Sequence, residues 1–462
     1  MRVIEVLRKT VKKKTTITKS LFLGLSLGVV LGALFFLLAR ILKNVLKQPR
    51  FISRAIVTLL EGTHQLEARA HHIAKENLLT GIERRLLPGG QEKLVLVAGL
   101  RNFREPWARD FGFAINGLLA LQEYEAIREC LEVFFLTQRP DGQFPIKIHS
   151  TNVPSRYLHS LFQRQQPIIS PLRPKYTSGH NTISLDGNGL LVIAALNYAK
   201  VSGDHGFIRD HWDALVRAVD WLGNFGVDQD GLLQQGVYSD WADSIAREGR
   251  VLYTNMIYWK ALMEISEAAA RHGTQSEQDA LRDKARLVYT SIHEHFWRPD
   301  LGFFVTNKLF ENLNASGNLM AIAWGLTTDE QAHSILDAMR DFGMADPVPT
   351  KPVHTPYPLR YVAFENRLGG IAHYHTDAAW LWLGAWHVIA MACVGRLDEA
   401  DQLLSRMAKV IVRDGEVHEV YGTDGRFISN FWYTSEAPLT WSAGMFVYAY
   451  HMLEGMKEKA SS

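Results

Sequence analysis

Apolar residues recur with the period of an α-helix along most of the chain. The pattern predicts twelve helices, near residues 53–77, 110–121, 124–138, 185–202, 206–225, 253–272, 276–297, 313–325, 328–341, 376–395, 397–412 and 437–455. Several consecutive helices are joined by very short links, such as LALQEYEA and CVGRLDEA, which make neighbours antiparallel. Six such hairpins predict an all-α fold, an (α/α)6 barrel with an inner ring of helices inside an outer ring.

Residues 51–458 are predicted to form one domain, because no linker rich in proline, glycine or serine divides them. Asp-Gly turns follow several predicted outer helices, as in RPDGQF at 139–144 and RDGEVH at 413–418. Asp and Gly supply the turn that ends a helix and starts a short extended piece, which agrees with repeated hairpins.

The N-terminal 50 residues follow a different pattern. Residues 20–39 carry no charge, and twenty helical residues are long enough to span the hydrocarbon core of a bilayer. The run is too long for the apolar part of a cleaved signal peptide, so we predict a basic segment over 1–19 and a transmembrane anchor over 20–42. More basic residues precede the run than follow it, which favours a domain on the non-cytoplasmic side.

Three glycines of the predicted anchor, Gly24, Gly28 and Gly32, repeat at four-residue spacing and share one helix face. This spacing is compatible with a homodimer of anchors, and equally with ordinary glycine use in a membrane helix.

Composition narrows the classes of partner. The 50 basic and 48 acidic residues nearly balance, which gives no reason to expect nucleic acid. Cys130 and Cys393 lie in apolar helical patterns and cannot build a disulfide framework or a Cys-based metal site. We expect neither a metal nor an organic cofactor. The many Trp and Tyr side chains offer flat apolar faces with a polar edge, which suit sugar rings as well as cores.

Four segments combine carboxylates with aromatic residues where inner helices are predicted to begin: 104–118, 184–196, 238–250 and 415–444. Cleaving a glycosidic bond needs a proton for the leaving oxygen and a base or nucleophile at the anomeric carbon. Asp243 and Glu419 are the candidates, and the apolar bulk of Trp241 would raise the pKa of Asp243. Asp243 is equally compatible with a helix cap, and Glu416 and Glu436 compete with Glu419.

In their order and context, these segments resemble the six-hairpin glycosidases, which include the neutral/alkaline invertases, the glucosidase domain of glycogen debranching enzymes and, more remotely, glucoamylases and trehalases. The resemblance runs from about residue 75 to 456. The segments that resemble the family are PWARDFGFAINGLLAL, LDGNGLLVIAALNYAKVSGD, SDWADS, GGIAHYHTDAAWLWLGAWHV and VHEVYGTDGRF, the last of which is followed by LTWSAG.

The resemblance implies a role for each matched residue. Asp243 would be the general acid and Glu419 the general base. The sugar would be held by Trp107, Arg109, Asp110, Asp186, Trp241, His375, Asp377 and Trp441, with Thr376 also lining the pocket. Thr376-Asp377 stand where invertases usually carry Asn-Gly, and Ser244-Ile245 follow Asp243 where invertases carry Arg-Arg, which argues against sucrose.

The leading hypothesis is an inverting α-glucosidase of the debranching type that acts on a small glycoside or oligosaccharide. A sucrose-cleaving invertase is the alternative within the class. A sugar epimerase shares the helical barrel and would use His373, His375 and His418 as acid and base. A non-catalytic carbohydrate-binding protein on the membrane is the third alternative.

Overall fold

The structure is a computed structural model, which describes residues 63–150, 158–159, 162, 164–168, 171–226 and 228–461. The predicted basic segment 1–19, the anchor 20–42 and the glycines Gly24, Gly28 and Gly32 lie outside the described residues. Within the described ranges, no helix combines the length and the hydropathy needed to cross a membrane. Residues Gly62–Ser462 form one compact unit.

The fold of the described residues is mostly helical, as predicted. The longer helices are α1 Thr63–Thr80, α2 Ala108–Ala120, α3 Tyr124–Leu136, α4 Asp186–Ser202, α5 His205–Gly223, α6 Leu252–His272, α7 Gln275–Phe296, α8 Ala315–Ala323, α9 Asp329–Asp341, α10 Leu381–Cys393, α11 Leu397–Asp414 and α12 Thr440–Ser461. Each corresponds to a helix that the periodicity predicts. A 3₁₀ turn, Leu359–Tyr361, and a one-turn helix, Phe364–Leu368, precede α10.

The even-numbered helices form a closed inner ring. Each of α2, α4, α6, α8 and α10 packs against the next even-numbered helix, and α12 returns to pack against α2. Inner helices are buried nearly all round, as in α10, where the side chains from Leu381 to Ala392 are buried. Such burial is expected of an apolar helix that is covered on every side.

The odd-numbered helices form the outer ring. Helices α3, α5, α7, α9 and α11 each pack against the inner helix that precedes them, and α1 packs against α11 and α12. Outer helices bury one stripe only; α9, for example, buries Ala332, Ile335, Leu336 and Met339 at helical spacing. The first helix therefore completes the outer ring beside the last inner helix, and the result is the predicted (α/α)6 arrangement.

Four short antiparallel strand pairs accompany the helices of the described residues. The strands are β1 Ile82–Leu86 with β2 Glu92–Leu96, β3 Lys147–His149 with β4 Arg173–Lys175, β5 Trp297–Arg298 with β6 Phe303–Phe304, and β7 Ala379–Trp380 with β8 Val420–Tyr421. In the last pair, Ala379 faces Tyr421 and Trp380 faces Val420. This pairing places the segment before α10 beside the segment that carries Glu419.

Helix α10 begins at Leu381 and not at the predicted residue 376. The reason is that Trp380 is extended, with φ −120° and ψ 124°, and pairs with Val420. A long-range strand pair has no counterpart in the local apolar period.

Candidate active site

Arg109 and Asp186 join the first turns of α2 and α4. The Arg109 Nε atom lies 2.5 Å from Asp186 Oδ2. The Ser184 hydroxyl donates to Asp186 Oδ1 at 2.6 Å, and the Tyr253 hydroxyl of α6 donates to Oδ2 at 3.1 Å. Burial disfavours the charge of Arg109, but the neighbouring carboxylates, Asp186 foremost, outweigh it and raise the pKa. Three inner helices thus hold one fixed positive charge at the end of the barrel where they begin.

A small cavity lies beside this ion pair and is lined by Trp107, Arg109, Ser184 and Asp186, among others. The indole N–H of Trp107 is buried and has no acceptor among the described residues. A buried donor without a partner is costly, so it marks a place where a hydroxyl group or a water would be held.

Asp240 and Asp243, three residues apart before α6, have opposite surroundings. Asp240 is 1% exposed and receives both Arg247 Nε at 2.8 Å and Arg247 Nη2 at 2.9 Å. Gln235 and the Ala242 backbone N–H also donate to it. Asp243 is partly exposed, and no side chain of the described residues bonds to its carboxyl group. Burial raises the pKa of Asp243 to about 6, against the opposing effect of Arg109.

Glu419 precedes β8 and is 3% exposed. The Tyr433 hydroxyl donates to its Oε2 at 2.6 Å, the Tyr374 hydroxyl donates to its Oε1, and the Glu436 backbone N–H lies 3.3 Å from Oε2. Burial raises the pKa of Glu419 to about 7, while the two phenol donors work in the opposite direction. The carboxylate is therefore fixed in direction by two hydroxyl groups.

Glu436, the competitor left open by the sequence, binds the protein backbone. It is fully buried and accepts from the backbone N–H groups of Arg101 at 2.7 Å and Asn102 at 2.9 Å. Glu416 is exposed. Among the described residues, side-chain hydroxyls donate to Glu419 and to neither of the other two glutamates.

Asp110 interacts electrostatically with Arg109, Glu419 and Asp186. Burial raises its pKa to about 7, Arg109 lowers it, and Glu419 raises it further. Arg109 also interacts with Asp186 and Asp243. Asp186 and Asp243 therefore lie near the Arg109 guanidinium, and Glu419 lies near Asp110, the next residue of α2.

The candidate aromatic residues are more buried than sugar platforms usually are. Trp241 is 2% exposed, and its indole N–H donates to Ser316 Oγ at 3.0 Å. Trp441 is 4% exposed and stacks on Phe113, with ring centroids 5.4 Å apart. Trp382 packs against both of these residues, with its ring centroid 5.0 Å from that of Trp241 and 4.4 Å from that of Trp441. These rings form a packed aromatic layer that supports the carboxyl-bearing loops.

The histidines proposed for an epimerase have separate surroundings. His375 is 1% exposed, bonds Ser244 Oγ through Nδ1 at 2.8 Å and stacks on Trp380. Burial holds its pKa well below the usual value. His418 stacks on Phe427, with centroids 3.9 Å apart, and His373 and Asp377 are partly exposed. His375 thus acts as a neutral, fixed neighbour of the Asp243 loop.

Sequence reasoning missed the hydroxyl groups that organise the site. Tyr374 adjoins the HTD motif, and Tyr433 and Ser184 lie in segments already singled out. Tyr253 follows the start of α6 by one residue. No local pattern marks a tyrosine as the partner of a glutamate 45 residues away, so composition alone could not assign them.

Taken together, the closed double ring and the carboxyl groups at the start of its inner helices define the class of six-hairpin glycoside hydrolases. The chain belongs to the mannosylglycerate hydrolase MGH1-like glycoside hydrolase domain family, whose model matches residues 104–425, and it is a glycoside hydrolase. No curated protein matches the chain by sequence.

Solved structures share the fold. A rhamnosidase from Klebsiella oxytoca has a TM-score of 0.61 and 16% identity over 84% of this chain, which spans 64% of the rhamnosidase. A glycosidase solved as a point variant has a TM-score of 0.60 and 17% identity, covering 86% of this chain and 99% of the other. A conserved protein from Thermus thermophilus has a TM-score of 0.58 and 13% identity, covering 83% of this chain and 99% of the other.

Proposed function

We propose that the chain is an inverting α-glycosidase in which Asp243 protonates the leaving oxygen and Glu419 activates the attacking water. The observation that carries the proposal is the contrast between the two carboxyls. Asp243 has no side-chain partner among the described residues, so its own proton is available to a substrate oxygen. Glu419 accepts from two phenols, which stabilise its ionised form and direct it.

The pKa values alone do not assign the roles. The pKa of Asp243 is about 6 and that of Glu419 is about 7. As the pH rises, Asp243, the proposed acid, therefore loses its proton before Glu419, the proposed base, does. Hydrogen bonding supports the assignment instead, because the donors around Glu419 favour a carboxylate. A narrow pH optimum between about pH 6 and pH 7 follows, since only part of the enzyme holds both groups in the reactive state.

The remaining polar groups would bind the sugar. Arg109 and Asp186 offer a rigid donor and acceptor pair, Asp110 adds a second acceptor, and the Trp107 indole adds a buried donor. Such groups hold hydroxyls in one orientation, which suits a single ring of a small glycoside. His375, Asp377, Trp241 and Trp441 remain predicted to shape the pocket.

The test is hydrolysis of a panel followed by proton NMR. The panel contains α-glucosides, sucrose and mannosylglycerate, the last because the matched family is described as mannosylglycerate hydrolase-like. Release of a sugar with the opposite anomeric configuration supports the inverting mechanism. The glycoside that is hydrolysed with the highest kcat/KM identifies the preferred sugar and linkage. Release with retained configuration would contradict the assignment of Glu419 as a base.

Asp243→Asn should lower kcat by about 10²–10⁴-fold, the usual contribution of a general acid, and Glu419→Gln should do the same. Glu416→Gln is the matched control, because this exposed carboxylate lies three residues from Glu419. Near-normal activity in Asp243→Asn would exclude Asp243 as the acid.

The membrane anchor over residues 20–42 is proposed on the sequence alone. Cell fractionation of the full chain and of a chain that begins at residue 51 would test it. The proposal fails if both chains partition equally into the soluble fraction. Crosslinking of Gly28→Cys in membranes would test the homodimer, whose absence would leave the glycines without a pairing role.

A further inference from the structure

A one-turn helix, Phe364–Leu368, presents two large apolar side chains to solvent. Phe364 is 67% exposed and Leu368 is 71% exposed. Residues four apart share one face of a helix, so the two side chains form a single apolar surface. Grouped apolar exposure of this kind marks a contact site more often than scattered exposure does.

The one-turn helix is tied to the loop that carries Asp243. The Ala363 backbone N–H donates to Ser244 O at 2.7 Å, and the Ala246 N–H donates to Tyr361 O at 2.7 Å. These bonds lie directly after Asp243 in the chain. The one-turn helix that carries the apolar surface is therefore attached to the loop of Asp243, the residue that would protonate the leaving oxygen.

Two further contacts fix the helix on either side. Glu365 Oε1 lies 3.1 Å from His180 Nε2, and the His180 ring stacks on Tyr238 with centroids 4.4 Å apart. At its other end, Asn430 Nδ2 donates to Gly369 O at 3.0 Å. The helix thus connects the loops before α4, α6 and α12, all of which contribute to the candidate active site.

The loop held by Asn430 carries another exposed aromatic residue. Trp432 is 67% exposed and packs edge-on against Phe431, with ring centroids 4.7 Å apart. The next residue, Tyr433, donates to Glu419. Asn430 therefore joins the two segments that carry the exposed apolar side chains, since it donates to Gly369 O and accepts from the Trp432 backbone N–H.

We propose that Phe364, Leu368 and Trp432 form a leaving-group subsite that takes an alkyl chain or an apolar ring attached to the glycosidic oxygen. The inference rests on the proposed function, because it uses Asp243 as the acid. The leaving group must lie on the side of the acid that protonates its oxygen, and the backbone of the segment that leads into the one-turn helix is hydrogen-bonded to the loop of that acid. The substrate class is then a glycoside with an apolar aglycone.

Methyl, butyl and hexyl α-glycosides of the accepted sugar test the subsite with the full-length chain. We expect kcat/KM to rise with chain length, by up to about fourfold for each methylene that becomes buried. In the double variant Phe364→Ser, Leu368→Ser, the ratio of kcat/KM for the hexyl and methyl glycosides should fall toward one. Val201→Ser is the matched control, because Val201 is 54% exposed in the last turn of inner helix α4, at the other end of the barrel.

Binding separates this inference from the proposed function. Quenching of Trp432 fluorescence, with Trp432→Phe as the blank, gives the affinities of methyl and hexyl α-glucoside and α-mannoside without turnover. Tighter binding of the hexyl compounds, lost in the double variant, supports the subsite even if none is hydrolysed. Equal affinities and equal kcat/KM values for methyl and hexyl glycosides would overturn it and leave the hydrolytic function intact.

Discussion

Asp240 and Asp243 show how strongly surroundings decide what a carboxylate can do. Both lie in the same SDWADS segment, and the sequence offers no reason to separate them. Asp240 is neutralised by a two-bond contact with Arg247 in the interior. Burial raises the pKa of Asp243, Arg109 offsets only part of that effect, and no side chain of the described residues donates to the carboxyl group. The first carboxylate therefore stabilises the loop, whereas the second costs stability when it is ionised.

Asp243→Asn should increase the free energy of unfolding by about 1–2 kcal/mol at pH 8. The folded pKa of about 6 exceeds the unfolded value, so the native state binds more protons between about pH 4 and pH 6. The penalty of the ionised carboxylate is complete above pH 6 and vanishes below pH 4. Thermal unfolding at pH 8 and pH 4 should show the stabilisation only at pH 8.

Asp240→Asn is the control for this experiment, and the opposite sign is expected. Removing one partner leaves Arg247 buried and unbalanced, which costs about 3–5 kcal/mol. A lower melting temperature for Asp243→Asn at pH 8 would show that Asp243 has a stabilising partner in solution.

Tyr374 and Tyr433 are positioning residues that act through Glu419. Tyr374→Phe removes a donor to the carboxylate, so the pKa of Glu419 should rise. The limb of the pH–rate profile near pH 7 should move upward by about 1 pH unit, and kcat should fall about tenfold. The limb near pH 6, which Asp243 sets, should stay in place. Steady-state kinetics between pH 4 and pH 9 measure both limbs.

Tyr253→Phe provides the comparison, because Tyr253 donates to Asp186 and not to Glu419. It should weaken substrate binding without moving the limb near pH 7. If Tyr374→Phe lowers kcat at every pH by the same factor, Tyr374 has a structural role only.

At the scale of the elements, the helices could be predicted because each is encoded by a local apolar period. The inner and outer rings could also be inferred, since short links determine antiparallel neighbours. The pairing of β7 with β8 could not be predicted, because it joins residues about 40 positions apart through two residues on each side. The same holds for the bonds from Glu436 to Arg101 and Asn102, which span most of the chain.

Close packing of α2 and α12 depends on glycines that the sequence does not mark as special. A Cβ atom on Gly444 would lie 2.8 Å from the Cα and the carbonyl oxygen of Ala114. Gly444→Ala should therefore cost about 1–3 kcal/mol, because two backbones would have to separate. Denaturant unfolding gives the change directly.

Gly455 lies in the same helix and serves as the control, because an added methyl group would lie more than 4 Å from every described atom outside the adjacent backbone of that helix. Gly455→Ala should stabilise the protein by about 0.5–1 kcal/mol, because alanine lowers the conformational entropy of the unfolded chain. Equal effects of the two substitutions would refute the close approach of α2 and α12.

At the scale of the whole molecule, the site exists only when the ring is closed. Arg109 and Asp110 come from α2, Asp243 from the loop before α6, and Glu419 from the segment before α12. Their order along the chain could be read from the sequence, but their mutual orientation depends on every inner helix. The tyrosines, the backbone anchor of Glu436 and the apolar surface of Phe364–Leu368 appear only in three dimensions.

Helix α1 lies beside the place where the ring closes, because it packs against α11 and α12. Its buried stripe is Leu66, Ala70, Ala74 and Leu78, and its Asn77 side chain accepts from the Val417 backbone N–H at 2.7 Å. Helix α1 thus holds the segment that leads to Glu419. A substitution that destabilises α1 should therefore also loosen the segment that positions Glu419, although α1 contributes no residue to the candidate active site.

Leu78→Ala tests this coupling, because Leu78 is fully buried. The truncation should cost about 2–5 kcal/mol and leave a cavity between α1 and its neighbours. Hydrogen exchange should accelerate in α12 and in residues 415–421, while α6 and α7, on other parts of the ring, should change least. Glu76→Ala, an exposed change two residues away, should alter stability by less than about 0.5 kcal/mol. If exchange accelerates in α1 alone, α1 is a peripheral addition and the inner ring closes without it.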